Sequence, residues 1–314
     1  MAGPRPLSAS QLDDLFKRCQ NWGRWGSDDQ RGALNFLHPE HARRAAALVQ
    51  DGVAVSCALP LATTPSPHNP SPVLHHMLSD GDLPDATGSS DWFALGPHGS
   101  TITHLDALCH FFYQGKMFNG YPASLVTARG AAAGSIETVR GGIVGRGVLL
   151  DIARLRGVDW LEPGEAITIE DLTAAEVAAG LEVGEGDLLL VRTGRHARTR
   201  AGAPPPDPIP SPVPQSRLAG LEWTVLPWLH ERRIALLGGD NYSDCTPSGL
   251  EQPQGLPIHI VGIAAIGLHL LDNADLEALG GACAERGRWE FQLTIAPLIL
   301  ERGTASPVNP IALF

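Results

Sequence analysis

The sequence predicts an α/β fold in a single domain, and three observations carry that reading. Short apolar runs bounded by glycine, proline or aspartate recur at 53–59, 148–152, 187–193, 234–239 and 291–300, and read as strands. Stretches with helical spacing lie between them, at 169–179, 222–232 and 274–286. Strands of similar character flank the proline-rich 203–214 segment, which therefore reads as an excursion within one domain, placed to act as an arm onto a partner subunit.

Composition narrows the class. The 314 residues suffice for one large domain or two small ones, and 43% hydrophobic with 18% charged residues describes an ordinary soluble globular chain. A net charge of −11 argues against nucleic acid or an anionic membrane as partner. It leaves room for a small anionic substrate, because a bound metal reverses the local field. The five cysteines are scattered, odd in number and form no CxxC, so neither a disulfide framework nor a cysteine zinc site is indicated. The first residues hold no apolar h-region and no long apolar run follows, so the expectation is a cytoplasmic protein. There is no GxSxG and no P-loop, and the glycines at 141–147 precede a strand where a dinucleotide fingerprint would follow one.

Taken in order, Ser8 or Ser10 caps a first helix whose Leu12, Leu15, Phe16 and Cys19 share a face. Two tryptophans, Trp22 and Trp25, each followed by glycine, sit in the next loop. They pack a tight turn or supply an aromatic wall, and Trp25 is the candidate for the wall. Pro39 opens a second helix that Gly52 ends, so 1–52 forms a helical N-terminal extension. Residues 60–91, with His68, His75 and His76, read as a long loop of the lid or arm kind that bounds a substrate pocket together with Trp25. Gly180 ends the 169–179 helix. Asp240 follows the 234–239 strand and is expected to cap the next turn. His259 enters the apolar 260–271 segment, and Asp272 closes it.

The chemistry concentrates at 98–120. His104 and Asp106 stand two apart after the extended-favouring run Thr101-Ile102-Thr103, and so share a face. His110, four further on, keeps that face in either an extended or a helical continuation, whereas Cys109 has the opposite parity. An imidazole–carboxylate–imidazole cluster suits zinc, manganese or iron better than calcium. A hydrogen-bonded strand end would use the same residues. His98 lies about 20 Å back along an extended chain and joins only if the backbone folds at Gly99. His98 and Trp25 are the candidate substrate-binding residues.

The segments NWGRWGSDDQRGALNF (21–36), THLDALCHFFYQGKMFNG (103–120), GDLLLVRTG (186–194), LPIHIVGIAAIGLHLLDN (256–273) and TIAPLILERGTASPVNPIA (294–312) span nearly the whole chain. With them the sequence resembles the metal-dependent cyclase family of kynurenine formamidases, isatin hydrolase and trans-dienelactone hydrolase, its longer bacterial members above all. The resemblance implies a swivelling β/β/α fold, a homo-oligomer (dimer or tetramer) and one or two divalent metals. Against the family motif HxxxHxDxxxH, His104 and Asp106 fall on metal ligands and His110 on the catalytic acid/base. His259 matches the later histidine ligand, and Asp272 stands for the later glutamate, one carbon shorter. Position 100, where the first motif histidine belongs, is serine, so one zinc or manganese ion is expected rather than two.

The implied activity is hydrolysis of an amide, lactone or related cyclic bond of a small metabolite. The same residues also suit two other readings: a metal-assisted lyase or cyclase acting on a small carbonyl compound, and a family member that only binds ligand. The absent histidine favours the last, and the intact His104/Asp106/His110 set opposes it.

Overall fold

Nine strands hydrogen-bond into one mixed sheet in the computed structural model, which describes residues 3–82, 84–209, 215–250 and 255–314. Their order is Ala54–Ser56, Ile311–Leu313, Glu290–Ile295, Ile143–Asp151, Leu188–Arg192, Leu236–Gly239, His269–Asp272, His104–Asp106 and Ala305–Pro307. The central pairings are parallel and the flanking ones antiparallel. Parallel strands need cover on both faces, and the leucine-rich sequences supply it. Leu188, Leu190, Leu236 and Leu271 enter one core with Phe291 and Leu293, while Leu189, Val191, Leu237 and Leu270 enter the other.

This alternation positions the site. Leu105 belongs to the Phe291 core, so its neighbours His104 and Asp106 face the opposite side of the sheet. Leu270 and Asp272 project to that same side, where the Pro257–Val261 helix packs.

Several elements differ from their expected bounds for identifiable reasons. The expected 148–152 strand begins at Ile143, because its glycines are packing residues: a Cβ on Gly147 would lie 2.3 Å from the Phe291 ring. The second helix stops at Ala46, because the backbone amides of Asp51 and Gly52 turn away to the Phe314 carbonyl. Residues 60–91 are not loop throughout, since Leu74–Ser79 pairs with Ser90–Ala94 in a separate hairpin. The 222–232 helix opens with a 3₁₀ turn, Trp223–Val225, before Leu226–Arg232. The 256–272 run divides into the Pro257–Val261 helix, a π-turn at Gly262–Ile266 and the His269–Asp272 strand. Gly267 makes that reversal at φ +81°, with its own Cα pressed against Gly32. The last helix starts at Glu277, since Asn273 takes a left-handed conformation (φ 54°) that a helix excludes. The closing strand ends at Ile295, two residues before Pro297.

Other bounds stand as read. Ala9–Arg18 is capped by a Ser8/Gln11 box, and Ile169–Ala179 runs from a Thr168/Asp171 box to Gly180 at φ 65°. In the proline-rich stretch, Pro208–Ile209 pairs with Gln215–Ser216, and residues 210–214 lie outside the described residues. Among the described residues, no helix is long and apolar enough to cross a membrane.

Candidate metal centre

Asp106 is fully buried at the end of the His104–Asp106 strand, and among the described residues neither of its carboxylate oxygens accepts a hydrogen bond. Imidazole nitrogens surround it instead. His98 Nδ1 lies 3.0 Å from Oδ1 without hydrogen-bond geometry, and His104 Nε2 lies 3.5 Å from the same oxygen. His110 Nε2 and His259 Nε2 are each 3.8 Å from Oδ2. Asp272 joins from the adjacent strand, where its backbone pairs with His104, and its Oδ2 is 3.3 Å from His259 Nε2.

The far nitrogens of three of these rings are anchored. His104 Nδ1 donates to the Ile102 carbonyl (2.8 Å), which fixes its tautomer because a carbonyl only accepts. His259 Nδ1 is held by Asp244 Oδ2 at 2.7 Å, and His98 Nε2 by Thr304 Oγ1 at 2.9 Å. Each ring thereby presents its other nitrogen to the carboxylates, the arrangement typical of metal-binding histidines. Donor atoms of His98, Asp106 and His110 lie within 4.8 Å of one another, as do those of His104, Asp106 and Asp272. Two donor groups therefore share Asp106.

The electrostatics follow from burial and crowding. Burial alone would raise the Asp106 carboxyl; His110 and His104 foremost, then His98, outweigh it and hold the group well below the ordinary range. Burial pushes His110 down to about 4, with Asp106 pulling the other way, so the free imidazole is neutral at pH 7. Burial also opposes the His259 cation, but the bonds its ring N–H groups donate to the Asp244 and Asp272 carboxylates prevail and raise it.

A divalent cation fits this donor set. A buried carboxylate without hydrogen bonds is costly unless a cation answers it, and mixed imidazole and carboxylate donors suit zinc, manganese or iron. A hydrogen-bonded strand end, the plainer reading of the same residues, would have left the Asp106 oxygens satisfied.

The candidate residues from the sequence divide cleanly. His104, Asp106, His110, His259 and Asp272 come together, and so does His98, through the fold at Gly99, whose φ is +122°. The single-ion expectation rested on Ser100, and His98 brings a ring to Asp106 from two residues earlier. Trp25 lies elsewhere: it meets Phe36 edge-on at 5.0 Å under the Arg24 guanidinium. It lines an open surface groove with Arg31, His38 and Glu185, none of which belongs to the cluster. Cys109 turns into the Phe291 core, as its parity requires.

Sequence reasoning missed Asp244, Thr304 and Phe111. The Phe111 ring stands 4.8 Å from that of His259 and 4.9 Å from that of His110, as an aromatic wall. Its place directly after His110 was the available signal, whereas Asp244 and Thr304 reach the site through long-range contacts.

Comparison with known proteins identifies the family and the fold. The family model described as Putative cyclase matches residues 36–243. A crystal structure described as a novel cyclase is 31% identical, covering 94% of this chain and 99% of that one, with a TM-score of 0.82. An isatin hydrolase bound to the product analogue thioisatinate is 20% identical over 87% of this chain and 95% of its own, with a TM-score of 0.59. Isatin hydrolase A from Ralstonia solanacearum is 19% identical over 86% and 94%, with a TM-score of 0.57. No curated protein matches. The nine-stranded sheet is thus the cyclase-like fold, and the chain belongs to the cyclase family.

Proposed function

We propose that the protein is a metal-dependent hydrolase that opens an amide, lactone or related cyclic C–N or C–O bond of a small metabolite. One observation carries the reading: Asp106, buried and without hydrogen bonds, is ringed by histidines, three of which have their far nitrogens anchored. His104, Asp106, Asp272 and His259 would hold one divalent ion, and His98 with Asp106 a second. A divalent ion in such a site supplies Lewis acidity, polarising a carbonyl and lowering the pKa of water from 15.7 to about 7.

The protein's own groups supply the rest. Neutral His110 accepts the proton released by the attacking water and returns it to the leaving amine or alkoxide. Phe111 shields one side from bulk water. Asp244 keeps His259 oriented. Isatin hydrolases, similar in fold, act on a cyclic amide, which makes a fused ring amide the first substrate to try.

The test is elemental analysis of the purified protein, then turnover of formamides, lactones and isatin-like rings before and after chelation. Metal-dependent turnover of at least one class is expected. A protein that takes up no divalent metal, or turnover that survives complete metal removal, overturns the proposal.

A further inference from the structure

The backbone from His98 to His104 doubles back, and two residues distant in sequence hold it there: Asn273, just after the His269–Asp272 strand, and Arg195, at the start of the Arg195–Arg200 helix. Asn273 Nδ2 donates to the Gly99 and Ile102 carbonyls. Arg195 Nη2 donates to the Ser100 carbonyl at 3.2 Å, and its Nη1 to Asn273 Oδ1 at 2.9 Å. The Thr103 hydroxyl donates to the Asn273 carbonyl at 2.6 Å, tying the far end of the turn to the same residue. Asn273 is itself fully buried, left-handed at φ 54°, and fixed by its amide to the Asn241 carbonyl. The neighbouring arginines Arg192, Arg198 and Arg200 each pair with a carboxylate. Arg195 forms no such pair among the described residues and directs its guanidinium at the turn.

We propose that Arg195 and Asn273 are positioning residues that lock the 99–102 turn and so set the His98 ring against Asp106. The physical need is plain. Six extended residues would carry His98 about 20 Å away. The ring instead stacks on His110, with centroids 3.8 Å apart, and brings Nδ1 to 3.0 Å from Asp106. Gly99 permits the reversal but does not enforce it, because a glycine at φ +122° is equally free to leave that conformation. Enforcement comes from three carbonyls of the turn being claimed by two side chains that also bond to each other. A metal position that includes His98 is thereby conditional on the lock, whereas the His104/Asp106/Asp272 group is built on paired strands and meets the lock only at the Ile102 carbonyl, which His104 Nδ1 and Asn273 Nδ2 share.

The inference rests on the two-position reading of the metal centre, and the experiment separates the two. Intact full-length protein, its Asn273→Gly and Arg195→Met variants and a His98→Ala control are titrated with Co²⁺, read by calorimetry and visible absorbance. Glycine tolerates the backbone angle at 273, and Arg195→Met keeps the stem, so a second variant stands if one fails to fold. Two ions per unaltered chain are expected. In both lock variants one ion should bind as before and the other about 10–100-fold more weakly, the usual effect of losing an outer support. General destabilisation would not weaken one ion selectively. One ion per unaltered chain, or two that survive His98→Ala unchanged, refutes the two-position reading and the lock with it. Two ions, one of them lost in His98→Ala but both retained at full affinity in the lock variants, refutes the lock alone.

Discussion

Asp106 and Asp240 are both fully buried aspartates at strand ends, and the fold treats them in opposite ways. Asp240 follows the Leu236–Gly239 strand and accepts from the Thr193 amide and hydroxyl and from the amides of Gly194 and Arg195. Neither oxygen of Asp106 accepts anything, and histidine nitrogens approach it on both sides. Burial is equal, so burial does not mark the site. Unanswered hydrogen-bonding capacity, with several metal-ligand types converging on it, does.

Asp106→Asn is the strongest way to break this contrast. It removes the oxygen charge shared by both donor groups, so bound metal should be lost and turnover should fall by about 10³-fold or more, the loss of several kcal/mol of Lewis-acid stabilisation. Retention of metal in this variant would put Asp106 in the same structural class as Asp240. His110→Gln comes next, with kcat lowered by about 10² to 10⁴-fold and metal stoichiometry intact. Metal loss in that variant would assign His110 to the ligands instead.

The two aspartates also show how far the sequence could be read. His104, Asp106 and His110 were legible because strand parity and a tight local spacing place them together, and the same parity sends Cys109 into the opposite core. His98 was legible only as a condition, since Gly99 permits a reversal but its holders, Asn273 and Arg195, lie over 90 residues away. Asp240 was expected to cap the turn after its own strand. It caps the turn after the neighbouring strand, because parallel pairing of Leu236–Gly239 with Leu188–Arg192 sets it beside Thr193. The nine-strand order, with its antiparallel edges, depends on pairings that no local pattern encodes. The hairpin at 74–94 was missed because its polar and proline-rich surroundings outweighed a short alternating run.

Asp240→Asn tests the satisfied side of the comparison. One acceptor oxygen survives, but an amide now faces backbone N–H groups that had a carboxylate. The expected loss is about 1.5–3 kcal/mol of unfolding free energy, the range for hydrogen bonds to charged groups, with burial, which raises the Asp240 carboxyl, pulling toward the lower end. The ion at the His104/Asp106/Asp272 group should remain bound in the folded fraction. Urea denaturation and metal analysis of one preparation read both outcomes, and an unchanged midpoint would mean that the four donors find water instead.

The smallest expected effect concerns His196, which sharpens the comparison from a third direction. This side chain of the Arg195–Arg200 helix is buried, and its Nε2 has no partner among the described residues, yet it belongs to neither donor group. Burial foremost, then the Arg195 charge, pushes it down to about 3, so it is neutral in the folded protein at pH 7. In the unfolded chain it titrates near 6.5. Between these values the unfolded state binds the extra proton, so the stability linked to His196 is complete above about pH 6.5 and drains away as pH falls toward about 3. The slope reaches about 1.4 kcal/mol per pH unit. His196→Gln removes the titrating group, so unfolding free energies measured at pH 7, 5.5 and 4.5 should fall less steeply than those of the unaltered protein. Metal content at pH 7 should not change. Identical slopes would show that the ring is already protonated when folded. A loss of metal would tie it to the centre, and an unpartnered buried atom would then mark the site even without converging ligands around it.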